Sequence, residues 1–167
     1  MAGFIVWVKN HREDIVVFSK ICFFSYCLFL ICVIIFKYPF DVLIKTLSEW
    51  NLDLIKEGVD TANLVPFRTI KMYVRYYDEI RGFDNLFGNV LLFLPFGILI
   101  KPAFPKINNV GYVILHSFWF SLGIELFQLV THFGAFDVDD LILNCLGAML
   151  GYLVYWILEK VVHFIIK

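Results

Sequence analysis

Charge is scarce in this chain. Of its 167 residues only 17% are Asp, Glu, Lys or Arg, against about 25% in ordinary soluble domains, and the formal net charge is -1. Such a balance leaves no basic footprint for nucleic acid, and a disordered chain of this kind would need far fewer apolar residues. Catalytic signatures are missing as well: the sequence has no Ser-His-Asp order, no H-E-x-x-H and no glycine-rich phosphate loop. Its four cysteines offer no zinc or redox C-x-x-C spacing, since Cys22, Cys27 and Cys32 lie in one apolar run and Cys145 in another. They read as small packing residues and leave the redox compartment open. No internal repeat is evident.

What the chain has in excess is apolar surface. Apolar residues reach 60%, against about 45 to 50% in soluble chains. A water-soluble domain of this size could not hide that many, so a cytoplasmic globular enzyme is disfavoured and the bilayer is the expected solvent. The length suits one compact unit, or two at most.

Crossing a hydrocarbon layer of about 30 Å takes about 20 helical residues. Four apolar runs approach that length: 15–36, 86–100, 110–131 and 141–158. The first follows a charged stretch, is too long for a signal-peptide core and lacks a small-residue cleavage site, so it is expected to remain as an anchor. The second carries Pro95 and two glycines, and leaves a thin span, a kinked span and a re-entrant segment all open. The expected fold is therefore all-α, a polytopic membrane protein with about four transmembrane helices in a single domain over 1–167.

Short flanks set the orientation. Lys9, Arg12 and Lys20, then Lys101 and Lys106, then Lys160 and Lys167 share one side, whereas the loop at 132–140 has three aspartates and no Lys or Arg. Both termini are thus expected in the cytoplasm. The long first loop, 37–84, carries seven basic residues (Lys37, Lys45, Lys56, Arg68, Lys71, Arg75, Arg81) among eight acids, and long loops weigh less in the rule. It is expected to be extracytoplasmic. Leu43, Leu47, Trp50 and Leu54 recur in it at helical spacing, as do Ile70, Tyr73, Val74 and Tyr77, which predicts two amphipathic helices joined by a break at Pro66. They would lie in the interface or cover the spans, with plain packing their simplest role.

Within the membrane an expensive residue is the informative one. A charged side chain at a helix centre costs roughly 2.5 to 3.5 kcal/mol on insertion scales, so Glu125 in the third run calls for an offset and is a functional candidate by default. Gln128 shares its helical face. The fourth run opens with Asp137, Asp139, Asp140 and Asn144, and its face continues through Gly147 and Gly151; the second opens with Asn85 and Asn89. Amides or carboxylates from three helices therefore converge at similar depth toward the extracytoplasmic leaflet. Structural roles compete for several of them: Asp139 or Asp140 as a helix N-cap, Gly147 and Gly151 in close helix packing, and Asn85 and Asn89 in interhelical hydrogen bonds.

Four pieces carry a resemblance: Asn63-Leu-Val-Pro-Phe67, Asn89-Val-Leu-Leu-Phe-Leu-Pro-Phe-Gly97, Glu125-Leu-Phe-Gln128, and Asp137-Val-Asp-Asp-Leu-Ile-Leu-Asn-Cys-Leu-Gly-Ala-Met-Leu-Gly-Tyr152. In this order and spacing they resemble the VanZ-like family of bacterial membrane proteins, over residues 20–158. The resemblance implies a small multi-helix protein of the bacterial cell membrane linked to low-level resistance to teicoplanin-type antibiotics, with no settled biochemical activity. Family members often carry an arginine shortly before the first aspartate of the last piece, where this chain reads Gly134-Ala135-Phe136-Asp137. A mechanism needing that counter-charge would have to draw on Arg68.

Three functions fit these residues. The first is a binding protein for an outer-leaflet partner, a lipid-linked cell-wall precursor or a lipoglycopeptide, with the polar rim meeting the head and the spans accommodating the acyl chain beside membrane lipids. The second is an intramembrane enzyme acting on a lipid-linked envelope substrate. In it Glu125 is a general base and Glu125, Asp137, Asp139 and Asp140 supply oxygen ligands for a divalent cation such as Mg²⁺ or Ca²⁺, although no cofactor motif is evident. His116 and His132 are not placed as partners for this chemistry. Ion passage is the third and weakest, because the cytoplasmic halves of the spans offer few polar residues to complete a path.

Overall fold

The computed structural model describes residues 10–36, 38–76 and 82–166. Lys9, Lys37, Tyr77, Arg81 and Lys167, which entered the charge and spacing patterns, lie outside them, as does the side chain of Asn85. Seven helices are present among the described residues: α1 (Arg12–Ile35), α2 (Phe40–Ser48), α3 (Leu52–Thr61), α4 (Arg68–Arg75), α5 (Gly82–Ala103), α6 (Val110–Thr131) and α7 (Val138–Ile166).

Four of them are long and apolar enough to cross a membrane, over Arg12–Ile35, Leu86–Ala103, Val110–Thr131 and Val138–Ile165. Each of the helices containing these stretches has 22 or more residues, and so exceeds about 30 Å at about 1.5 Å per residue. Their outer faces expose Phe18, Phe24, Leu28, Trp119, Leu153 and Ile157, a surface suited to lipid and not to water. The second run is settled as one continuous helix that contains Pro95. Neighbouring helices in a bundle supply the packing that lets a helix persist through proline.

The centre of the bundle is the crossing of α5 and α7. A Cβ at Gly97 would stand 1.9 Å from the Ala148 carbonyl oxygen, one at Gly147 2.2 Å from that of Val90, and one at Gly151 1.9 Å from that of Leu94. The two backbones therefore touch, which is how small residues drive association where lipid removes any hydrophobic advantage. On the other side of α5 lies α1, held by Phe23 against Phe96 and Phe104 (ring centroids 5.0 and 5.5 Å apart) and by the Tyr26 hydroxyl, which donates to the Leu92 carbonyl. The helix α6 packs on α7, with Ser117 and Ser121 fully buried between them. Since α1 leans on α5 and α6 on α7, a crevice separates α1 from α6.

At the end of the bundle remote from α2 to α4, Lys101 of α5 pairs with Glu159 of α7 at 2.8 Å, and the Tyr152 hydroxyl donates to the Asn108 carbonyl at 3.0 Å. At the opposite end, α2 to α4 form a cover. Here the loop departs from the expected pair of helices. The single helix predicted through Leu43, Leu47, Trp50 and Leu54 is broken, because the Asn51 side chain accepts from the backbone N–H of Asp53 (2.8 Å) and Leu54 (3.2 Å) and starts a new helix. The cover docks on α6, where the Trp50 indole donates to the Val130 carbonyl at 2.8 Å and Gly58 lies against the Leu129 carbonyl.

Candidate functional site

Residue 137 opens α7 as its cap. One Asp137 carboxylate oxygen accepts from the Asp139 N–H at 2.8 Å, and the Asn63 side-chain amide donates to the same oxygen at 2.8 Å. The Thr69 hydroxyl donates to the second oxygen. The Asn63 backbone completes the junction, its N–H donating to the Phe136 carbonyl (2.8 Å) and its carbonyl accepting from Val138 (3.0 Å), a short parallel bridge. The cap is thus Asp137, not Asp139 or Asp140 as the spacing had suggested.

Asp139 is wholly buried and faces the cover. Its carboxylate accepts three backbone N–H groups, from Phe67, Thr69 (2.7 Å) and Ile70 (3.0 Å), at the start of α4. A buried carboxylate needs such partners, and a helix N-terminus supplies both donors and a positive pole. Phe67 sits in the left-handed region at φ 66°, an uncommon conformation for a residue with a side chain, and its N–H is one of the three that Asp139 holds. Arg68 lies exposed on the first turn of α4, and the donors around Asp139 are backbone groups, not its guanidinium.

Glu125, 2% exposed in the last third of α6, reaches the same junction by accepting from the Asp137 N–H at 2.9 Å. The remaining polar residues turn inward. Asn89, Glu125, Gln128, Asp140 and Asn144 line one wall of a cavity of about 620 Å³, and Phe29, Leu30, Val33 and Phe36 of α1 line the other. The Asn89 amide donates to Asp140, and the Asn144 amide to the Ser121 hydroxyl at 2.8 Å. Gly134, at φ 146°, keeps the turn between α6 and α7 tight, and a Cβ there would stand 3.0 Å from the Gln128 amide nitrogen.

The structure therefore divides the predicted residues. Glu125, Gln128, Asp140, Asn144 and Asn89 come together around the cavity, whereas Asp137 and Asp139 clamp the cover. Among the described residues no three His, Cys, Asp or Glu side chains are grouped so as to hold a metal ion. His116 lines an apolar hollow lower down between α1, α5 and α6. Two participants went unread, Thr69 and Ser121, while Asn63 stood only as part of a family piece. Ser117, Ser121, Glu125 and Gln128 share one face of α6 by helical spacing, a signal available in the sequence, while nothing local marks Thr69.

A family model for VanZ/LLP1 matches residues 23–159, most of the chain and all of the site. The chain belongs to the VanZ/LLP1 family. It is similar to a protein from Enterococcus faecium described as Protein VanZ, with 28% identity over 137 residues, 81% of this chain and 71% of that one. No solved structure matches it. The matched stretch of this VanZ/LLP1 member includes Asn63, Glu125 and the whole of 137–152, so the clamp and the cavity both lie within the shared region.

Proposed function

We propose that this VanZ/LLP1 membrane protein binds the head group of an outer-leaflet amphiphile in the cavity beside Glu125 and Asp140, and through it contributes to cell-envelope biology or teicoplanin-type resistance. The amphiphile is a lipid-linked cell-wall precursor or a lipoglycopeptide. In this reading the cover over residues 38–76 faces the outside and both termini the cytoplasm, in keeping with the basic short flanks of the other side. The observation that carries the proposal is a cavity in which five amide or carboxylate side chains converge, among Leu92, Phe93 and Ile124, opposite the aromatic and aliphatic residues of α1. Ligand sites combine a mostly apolar enclosure with a few convergent polar groups in just this way.

Replacing Glu125 by Gln and Asp140 by Asn together keeps size and one acceptor per side chain while removing both charges. With membrane levels verified, the double variant in a teicoplanin-sensitised host is expected to protect no better than an empty vector. Undiminished protection would sink the proposal. An intramembrane enzyme draws less support, since the oxygens of Asp137 and Asp139 accept hydrogen bonds from the cover. Turnover of a labelled polyprenyl-linked substrate by purified protein with Mg²⁺ would reverse that preference.

A further inference from the structure

The cavity does not stop at its polar wall. Ile34 and Ile124 line both it and a second hollow of about 340 Å³ between α1 and α6, and Phe120 links that hollow to a third of about 310 Å³ that reaches Phe104 and His116. The three hollows thus follow one another along the gap between α1 and α6 and adjoin at these shared side chains. From Gln128 down to His116 they follow twelve residues of α6, about 18 Å, slightly more than half of a hydrocarbon layer of about 30 Å. That is the depth one acyl chain of a single leaflet occupies. The lower hollows are walled mainly by isoleucine and aromatic rings, and Cys27 and His116 are the titratable groups among their described linings.

The upper end is rich in acceptors. Two carboxylates, Glu125 and Asp140, and three amides line it, and no Lys or Arg is among the described lining residues. A phosphate there would find no cationic partner, whereas an ammonium or amino-sugar head would meet the acceptor oxygens of Glu125 and Asp140, and an unpaired charge in a desolvated site is a strong discriminator. We infer that the crevice holds a single-chain amphiphile, its chain between α1 and α6 and an amine-bearing head against Glu125 and Asp140. The inference rests on the proposed binding function and narrows it to a cationic, hydrogen-bond-donating head, not a phosphate, which favours the lipoglycopeptide over a phosphate-linked precursor.

The test uses the full-length protein in phosphatidylcholine nanodiscs and two photoreactive probes with the same hexadecyl chain, one ending in ammonium and one in phosphate. The ammonium probe is expected to label α1 and α6 about tenfold more than the phosphate probe, the worth of one charge-assisted hydrogen bond. Glu125→Gln with Asp140→Asn should bring the ratio toward one while chain labelling persists. Gly123→Leu, whose side chain would enter open space at the wall of the middle hollow, should reduce labelling by both probes. Equal labelling, or a preference for phosphate, overturns the head-group assignment and leaves amphiphile binding standing. Labelling of neither helix, or labelling that Gly123→Leu does not change, overturns both.

Discussion

Gly151→Val is expected to be among the most damaging single changes in the bundle. Its Cβ would need the space now held by the Leu94 carbonyl oxygen at 1.9 Å, and a backbone oxygen cannot rotate away as a side chain can. The helices α5 and α7 would have to separate along their whole contact, placing the cost at or above the top of the ~1 to 3 kcal/mol range for overpacked cores. Thermal unfolding of the purified protein in mild detergent reads this directly. Gly88→Ala is the control: nothing lies within 4 Å of its added Cβ, and the better helix propensity of alanine is worth about 1 kcal/mol. Equal midpoints for the two variants would show that the crossing is not the bundle's foundation.

Asp139→Ala is expected to release the cover. Removing this carboxylate strands the N–H groups of Phe67, Thr69 and Ile70, each a donor to a charged acceptor whose loss costs about 1 to 3 kcal/mol. Total destabilisation of about 3 kcal/mol or more should follow, concentrated at residues 63–70. Hydrogen exchange of those amides should accelerate by orders of magnitude while those within α5 and α7 stay protected. Asp139→Asn, which retains one acceptor oxygen, should fall between. Unchanged exchange in the alanine variant would mean that the Asn63 bridge and Thr69 hold the cover without it.

How far these features could be read beforehand depends on the range of the interaction behind each. Four membrane-length helices were legible because lipid writes its demand into about 20 consecutive residues. Their ends were less so: the first and fourth apolar runs open only at Ile15 and Leu141, yet α1 starts at Arg12 and α7 at Val138, since acidic residues in a first turn favour a helix while lowering its apolar score. The break at Asn51 was missed because apolar spacing registers a face and not a cap. The convergence of Glu125, Gln128, Asp140, Asn144 and Asn89 was readable from helical periodicity and span direction. The assignment of Asp137 and Asp139 to the cover was not, because their partners lie some 70 positions away in a loop whose path no local pattern specifies.

Asp139 and Asp140 are consecutive on α7, so their side chains diverge by about 100° around its axis. One grips the cover and its neighbour borders the cavity, separated by a single peptide bond. The cover and the cavity are in that sense joined through the first turn of α7. A change in the first turn of α7 therefore bears on the clamp at residues 67–70 and on the wall that carries Asp140 together.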